Sequence, residues 1–433
     1  MKIEINDNGK WQNSLTLKMI LLAIMGLFLL IPLEMIKSII KERQITSEGI
    51  KKEISFQWAS VQTISGPVLN IPMMIYPAKK DIEPYRTVFH IMPDSLDISG
   101  TVDTEKRHRS IYEAVVYTSD LKISGEFVLP EINTDERSDI LWKDAYYSLG
   151  ISDNRGLKGG VFLKTDTEKI DAMPGLRDND IFNSGITFPK EVIPSVQRIS
   201  FSVTIKLSGS ESINFIPLGK ATRVDLHSEW NAPGFTGNFL PAERTIDEAG
   251  FNAKWLVTNL NRNFPQSWTG NSYRPENDSF GTQFVLEADH YQKSLRSAKY
   301  GILFIALTFL ALLFIEMPGE DRIHIFHYLL LALGLVLFFS LLNALSEHTG
   351  FNLAYIISAT STIILISYFL KALINKMRPV LIVGGLLVFL YSFIFILLTL
   401  KDYAYLAGNI GLFILLAITM RISLKLNILK NQT

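Results

Sequence analysis

Six long apolar runs constrain this chain more than any other feature of its sequence. They cover residues 15–36, 300–315, 325–345, 351–370, 380–400 and 403–420. A helix needs about 20 mostly apolar residues to cross a bilayer, and all but the second run come close to that length. Lys299 and Glu316 flank this short run, and their side chains can reach toward the interfaces. The runs predict a multi-pass α-helical membrane protein with six transmembrane helices.

The overall composition hides the contrast between the apolar runs and the more charged remainder of the chain. The chain is 48% hydrophobic and carries 42 Lys plus Arg against 42 Asp plus Glu, as an ordinary globular protein does. Almost all the acidic residues lie before Ser297, whereas the apolar runs dominate the rest. Balanced charge gives no sign of nucleic-acid binding. The absence of cysteine excludes disulfides, thiolate metal sites and cysteine catalysis.

The first apolar run predicts an uncleaved anchor. It lacks the small-residue cleavage pattern of a signal peptide, and LLIPLEMIKSIIKER continues it into a charged helical extension. The predicted organisation is a cytoplasmic N-terminus at 1–14, the first transmembrane helix and its extension at 15–40, a β-rich domain at 41–297, a five-helix bundle at 298–421 and a cytoplasmic tail at 422–433.

By the positive-inside rule, short cytoplasmic loops carry an excess of Lys and Arg, so these residues predict the orientation of the chain in the membrane. With a cytoplasmic N-terminus, only Lys401 falls in a short outer connection. The residues that then lie inside are Lys2, Lys10, Arg322, Lys371, Lys376, Arg378, Arg421, Lys425 and Lys430. Basic residues from Lys37 to Lys52 would lie outside, but long translocated domains are largely exempt from the rule. The prediction is an inner-membrane protein with both termini cytoplasmic and residues 41–297 periplasmic.

Residues 41–297 read as mostly β structure. FSVTIKL alternates apolar and polar positions, so that Phe201, Val203, Ile205 and Leu207 share one face, and SGSES predicts a turn into a return strand, INFIPLG. Pro and Gly punctuate the rest at short intervals, which favours a β-sandwich-like core. SDILWKDAYYSLGISD and ERTIDEAGF are the stretches where short helices are expected.

Two short motifs of penicillin-recognising enzymes occur in this domain. Ser119 and Lys122 match S-x-x-K, and Ser152 begins an S-D-N triplet, but the third signature, K-T-G, is missing. The catalytic arrangement needs the serine and lysine on one helix face. Here they lie in an alternating stretch, and residues three apart on a strand point to opposite faces. We expect no catalytic residues.

Histidines and acids cluster near the predicted membrane edges. His324 and His327 share a helix face, with Glu316, Glu320 and Asp321 upstream, but H-E-x-x-H spacing is absent and imidazoles suit an interfacial belt. The sequence predicts neither a metal nor a cofactor. Glu347 and His348 lie in SEHTG between two apolar runs, which predicts an outer turn rather than an intramembrane acid and base.

The polar residues inside the runs are few and uncharged near the middle. Ser358 and Ser361 lie in the fourth run and Asn343 in the third. Ion-coupled transporters usually place a charged residue at that depth. These three residues, with Glu347 and His348, are therefore only weak functional candidates.

The order of these features resembles the CreD family of bacterial inner-membrane proteins. The resemblance rests on LLIPLEMIKSIIKER, SGPVLNIP, FLPAERTIDEAGFNAKWLVTNL, RSAKYGILFIALTFLALLFIE, HYLLLALGLVLFFSLLNALSEHTGFNLAYIISA and KDYAYLAGNIGLFILLAITM. It implies a role in cell-envelope integrity and in envelope or stress responses. It carries over no catalytic residue.

Three hypotheses follow. The preferred one is a non-enzymatic protein that is anchored in the lipid bilayer and binds an envelope protein or a cell-wall component through its periplasmic domain. The second is a transporter or lipid-handling protein with a groove lined by Ser358, Ser361 and Asn343. The third, an envelope hydrolase, needs a nucleophile, a base and oxyanion donors in one cleft.

Overall fold

The chain folds into two units. The computed structural model describes residues 15–77, 83–131, 137–192, 197–285, 290–316, 323–400 and 403–430. One unit joins the chain up to Ser47 with the chain from Ala288 onward, and the other is Glu48–Glu287. The first unit is helical, and β strands dominate the second.

Long apolar sequences make most of the helices of the first unit. The described residues form eight α-helices: α1 Leu15–Phe28, α2 Leu30–Trp58, α3 His290–Lys299, α4 Gly301–Glu316, α5 Ile325–Thr349, α6 Phe351–Ile374, α7 Met377–Thr399 and α8 Ala404–Lys430. Only Leu29 separates α1 from α2, so the helical extension predicted after the first run continues to Trp58.

Five helical segments within the described ranges are long and apolar enough to cross a membrane. They are Leu17–Trp58, His290–Glu316, Ile325–Thr349, Phe351–Ile374 and Met377–Thr399. The sixth predicted run lies in α8, whose apolar part, Leu406–Arg421, is shorter. The structure therefore confirms several apolar spans with a large β-rich domain after the first. Lys401, which the sequence places in a short outer connection, and its neighbour Asp402 lie outside the described residues.

The connection between α5 and α6 is tighter than the predicted SEHTG turn. Helix α5 continues through Thr349, α6 begins at Phe351, and Gly350 alone joins them with φ +76°. A residue with a side chain rarely adopts this backbone conformation, which explains the glycine. Glu347 and His348 consequently lie in the last turn of a helix.

Aromatic packing ties the apolar helices together. The ring centroid of Tyr391 on α7 lies 4.5 Å from those of Phe304 on α4 and Phe338 on α5. The hydroxyl of Tyr355 on α6 donates to the backbone oxygen of Tyr391, at 2.9 Å. These four helices share one core cluster, to which α1, α2, α3 and α8 also contribute buried side chains.

The strands of the second unit form two sheets. In the described part of the chain the first sheet has ten strands: β1 Gln62–Ile75, β2 Tyr85–Ile91, β5 Ser138–Ile140, β6 Tyr146–Ile151, β10 Met173–Pro174, β11 Gly185–Pro189, β13 Ser212–Ile216, β15 Pro233–Gly237, β18 Ser267–Thr269 and β19 Phe280–Phe284. The second has nine over the same residues: β3 Ser95–Arg109, β4 Tyr112–Val128, β7 Leu157–Lys158, β8 Phe162–Thr165, β9 Lys169–Asp171, β12 Arg198–Ser210, β14 Ala221–Ser228, β16 Glu243–Asp247 and β17 Gly250–Thr258.

One hydrophobic core lies between the two sheets. Ile64 and Leu69 of β1 and Ile123 of β4 are fully buried in the same cluster. On β12, Phe201, Val203, Ile205 and Leu207 all contribute to it, as the alternation predicts. The strands begin at Gln62 and end at Phe284, with helix at both ends of the predicted 41–297 segment.

The predicted hairpin between β12 and β13 is wrong. Strand β13 does not return alongside β12. Instead it pairs with β1 in parallel and with β19 antiparallel, in the other sheet. Glu211, with φ +63°, joins the two strands. The chain therefore crosses at Glu211 from the nine-stranded sheet to the ten-stranded sheet. The apolar residues of INFIPLG are buried in the ten-stranded sheet.

The predicted short helices are also corrected. ERTIDEAGF forms β16 and the turn into β17, with Ile246 opposite Phe251 in the pairing register. SDILWKDAYYSLGISD forms β5 and β6 around a short 3-10 turn, Trp142–Asp144. Pairing with neighbouring strands overrides the local helical preference of both stretches.

Candidate functional site

The structure separates the two residues of the S-x-x-K match. Ser119 on β4 is fully buried, and its Oγ donates to the backbone oxygen of Leu207, at 2.9 Å. Lys122 is exposed on the same strand. An activated serine needs a base within hydrogen-bond reach, and Lys122 is not placed to act as one.

The S-D-N triplet serves the fold. The Oγ of Ser152 donates to Val61 O at 2.8 Å and accepts from the backbone N–H of Thr63 at 2.9 Å. The side-chain amide of Asn154 donates to Gly185 O, at 2.8 Å. These bonds tie the turn after β6 to the start of β1 and to β11.

Asp153, the middle residue of the triplet, accepts several hydrogen bonds. They come from the backbone N–H of Ser60, at 3.0 Å, and from the backbone and guanidinium of Arg155, the shortest at 2.6 Å. Hydrogen bonding from the Arg155 side chain is the main cause that holds the pKa of Asp153 well below its usual range, although partial burial opposes it. The carboxylate is therefore a structural anion.

Glu347 and His348 do not form a joint site. Glu347 is partly buried and accepts a hydrogen bond from the hydroxyl of Tyr291 on α3, at 3.2 Å. His348 is exposed on a different face of the helix end. Glu347 thus joins α5 to α3, which the sequence could not indicate.

The polar residues of the spans are also divided. A groove of about 400 Å³ opens between α5 and α6, and Ser361 lines it together with Ser340, Thr362 and mostly apolar side chains. Ser358 and Asn343 are buried instead, and Ser358 Oγ and Asn343 Oδ1 find no hydrogen-bond partner among the described residues. Only Ser361 of the three expected residues reaches the groove.

Only one of the two histidines caps the start of α5, His324; the ring centroid of His327 lies 5.9 Å from that of Phe369 on α6 instead. The Nδ1 of His324 accepts from the backbone N–H of Phe326, at 3.2 Å, which caps the helix. Glu316 accepts hydrogen bonds from Lys18 and Tyr328. Glu320 and Asp321, the other acids upstream of the two histidines, lie outside the described residues.

A different cluster, which the sequence did not reveal, unites one histidine and two aspartates. His90 on β2 and Asp178 and Asp180, in the link between β10 and β11, place one ligand atom each within 4.8 Å of one another. His90 is fully buried, while both carboxylates are partly exposed. Among the described residues this is the one such group of three or more.

Neighbouring side chains orient His90. Its Nδ1–H donates to Oδ1 of Asn70 on β1, at 2.7 Å. The Nδ2 of Asn70 donates to Ser148 Oγ at 2.8 Å and to Val68 O at 3.3 Å. The backbone oxygen of Val68 can only accept, so the amide nitrogen of Asn70 faces Val68 and the amide oxygen faces His90. The other ring nitrogen, Nε2, points at Asp180 Oδ2, 3.3 Å away.

The aspartates are held as well. The hydroxyl of Tyr146 on β6 donates to Asp178 Oδ2, and the backbone N–H of Asp180 donates to Asp178 Oδ1, at 3.0 Å. Burial raises the pKa of Tyr146, and the bond to Asp178 adds to the effect. Burial lowers the pKa of His90, and the charges of Asp178 and Asp180 oppose this.

Sequence reasoning had little chance of finding this cluster. His90 and Asp180 are 90 positions apart, and neither lies in a recognised metal-ligand spacing. The available signal was the Asp-Asn-Asp triplet at 178–180 between Gly175 and Gly185, a composition that is also common in turns. What brings the histidine to this link is the position of β2 and β6 on either side of β1.

Comparison with known proteins covers nearly the whole chain. The profile of the family described as Inner membrane protein CreD matches residues 14–429. The Inner membrane protein CreD of Escherichia coli (strain K12) is 31% identical over 406 residues, which covers 90% of this chain and 88% of that protein.

Proposed function

Because the chain belongs to the CreD family of inner membrane proteins, we propose that it supports cell-envelope integrity without catalysing a reaction. In this proposal the β-rich domain binds an envelope protein or a cell-wall component, and the apolar helices hold it at the membrane. The role extends to envelope stress responses.

The placement of Ser119 carries the non-enzymatic part of the proposal. A serine hydrolase needs an exposed, activated hydroxyl, but Ser119 is buried and donates to Leu207 O. The hydroxyl of Ser152, the other serine of the two motifs, hydrogen-bonds to the backbone of Val61 and Thr63. Both hydroxyls are occupied by the fold, which favours a binding domain over a hydrolase.

The proposed topology has six transmembrane helices and both termini in the cytoplasm. Within the helical unit, Lys18 near the start of α1 contacts Glu316 at the end of α4, which supports placing these two helix ends on one side of the membrane. The Lys and Arg bias assigns this side to the cytoplasm. The β-rich domain, between α2 and α3 in the chain, is then periplasmic.

The groove between α5 and α6 supports a transporter less well than the other contacts support a binding protein. A path for a polar substrate would be expected to expose Ser358 and Asn343, and both are buried away from solvent. The groove is lined mainly by Leu, Phe, Gly and Ala, which is the lining expected of a surface that faces lipid tails.

Site-specific photocrosslinking in living cells tests the binding role. Leu240 and Leu260 on the β-rich domain are 68% and 90% exposed, so a photoreactive residue at either position should capture a component that contacts the domain. Tyr368 on α6, 73% exposed, is the control, because an apolar helix should capture lipid alone.

The expected result is a discrete protein or peptidoglycan adduct at the domain positions and not at Tyr368. Removing the captured component should then reproduce the envelope sensitivity of cells that lack this protein. If the domain positions give only lipid or no adduct, and deletion of the protein leaves detergent sensitivity unchanged, the proposal is wrong.

A further inference from the structure

The Nε2 atom of His90 lacks a suitable partner in the neutral ring. Since Nδ1 carries the hydrogen that bonds to Asn70, the neutral imidazole has a lone pair on Nε2. That lone pair faces Asp180 Oδ2 at 3.3 Å, and a carboxylate oxygen also offers only lone pairs. In the neutral ring two acceptors would therefore face each other, and a bound cation, a metal ion in place of the proton of an imidazolium, would satisfy both.

The spacing of these atoms suits a small metal ion. Zinc binds histidine nitrogen and carboxylate oxygen at about 2.0–2.2 Å in tetrahedral sites, which places two ligand atoms about 3.3–3.6 Å apart. The observed separation of His90 Nε2 and Asp180 Oδ2 is 3.3 Å. The ligand atom of Asp178 completes a set within 4.8 Å, so small side-chain movements would bring all three to one ion.

The surroundings match those of histidine metal ligands. Such a histidine usually donates its second ring N–H to an oxygen that orients it, and Asn70 Oδ1 takes this place for His90. Ligating carboxylates usually accept hydrogen bonds in turn. Asp178 accepts from the hydroxyl of Tyr146 and from the backbone N–H of Asp180. Both kinds of supporting contact are therefore already present.

We propose that His90, Asp178 and Asp180 bind a divalent transition-metal ion, with Zn²⁺ the best fit to one nitrogen and two oxygen ligands. The site is additional to the proposed binding function and does not depend on it. The ion holds the link between β10 and β11 against β2. Three protein ligands leave a fourth position, and the 30% exposure of the Asp180 side chain opens it to water.

Metal titration of the full-length protein in detergent tests the proposal. After removal of metal with a chelator, Zn²⁺ is titrated in competition with a chromophoric indicator, and Co²⁺ is used as a spectroscopic probe. We expect one saturable site, a visible Co²⁺ absorption band, and a higher thermal unfolding midpoint with Zn²⁺.

Asp178→Asn and Asp180→Asn are the test variants, because they keep the side-chain shape and remove the negative charge. Each should weaken Zn²⁺ binding by about tenfold or more and abolish the Zn²⁺-dependent rise in midpoint. Asp171→Asn, on an exposed carboxylate of β9, is the matched control and should bind as the wild type does.

Unfolding midpoints measured in chelator show whether each variant is folded, and the comparison is made with those that match the wild type. If the wild type has no saturable site, the proposal is wrong. It is equally wrong if either folded ligand variant binds Zn²⁺ as tightly as Asp171→Asn, since the ion would then be adventitious.

Discussion

Lys18 and Glu316, 298 positions apart, form an ion pair in which the Nζ of Lys18 donates to both carboxylate oxygens. The same Nζ donates to the backbone oxygen of Ile323, at 2.8 Å, and Glu316 also accepts from the hydroxyl of Tyr328, at 2.9 Å. The side chains of Lys18 and Glu316 are only 18% and 12% exposed. The pair thus joins the starts of α1 and α5 to the end of α4.

Lys18→Met should destabilise the helical unit by about 1–3 kcal/mol, because it leaves a largely buried carboxylate without its cation. Thermal unfolding in detergent measures the loss. Glu316→Gln in the same chain should restore part of it, since the uncompensated charge is removed. Lys37→Met, in a pair with the exposed Glu34, is the control and should change little. Equal midpoints for Lys18→Met and wild type would contradict the role of the pair.

Alkaline-phosphatase fusions should report the proposed topology. The enzyme folds only outside the cytoplasm, where its disulfides form. A fusion near Asn231 should be active, and one after Lys430 should be inactive. The opposite pattern would overturn the orientation, and activity at both positions would exclude six transmembrane helices.

Glu347→Gln should leave membrane insertion and the envelope phenotype near normal. Glutamine keeps a side-chain oxygen that can accept from Tyr291, so the contact between α3 and α5 does not need the charge. Glu347→Ala removes the acceptor and should cost about 1 kcal/mol in unfolding free energy. Loss of the phenotype in Glu347→Gln at a normal protein level would instead indicate a functional acid.

Ser119→Ala should leave function unchanged and lower the unfolding free energy by about 1 kcal/mol, because one buried hydrogen bond is lost. A labelled β-lactam added to the full-length protein should give no covalent adduct by intact mass. A wild-type adduct that disappears in Ser119→Ala would establish a serine nucleophile and reject the non-enzymatic proposal.

Asp153→Asn should destabilise the protein at neutral pH and make little difference in acid. The folded pKa of Asp153 is lowered, so the carboxylate stabilises the fold above the ordinary carboxyl pKa, and this contribution is lost as the pH falls below about 4. We expect a neutral-pH difference of about 1 kcal/mol, since the Arg155 partner is half exposed. Denaturant titrations at several pH values measure it, with Asp171→Asn as control. A difference that does not change with pH would contradict the electrostatic origin.

Local pattern was enough to place the apolar helices and the core face of β12. The runs predicted at 325–345 and 351–370 lie within α5 and α6, because a sustained excess of apolar, uncharged side chains is a property of consecutive residues. Alternation along a strand is equally local, so the burial of Val203 and Leu207 followed from spacing alone.

Tertiary structure decided the features that depend on which segments become neighbours. The sequence of INFIPLG says that it is a strand, but only the position of β1 and β19 selects its sheet. Likewise ERTIDEAGF becomes a strand because β17 offers it a partner. Strand pairing joins residues that are distant in the chain, and no local preference records it.

The same distinction separates the candidate sites. Ser119 and Lys122 could be judged from the sequence, because the geometry of three consecutive steps along a strand is known in advance. His90, Asp178 and Asp180 could not, since their meeting requires β2 and β6 to flank β1 and the β10–β11 link to return beside them. Hydrophobic burial between the two sheets drives that return, and the histidine and carboxylates are brought together as a consequence.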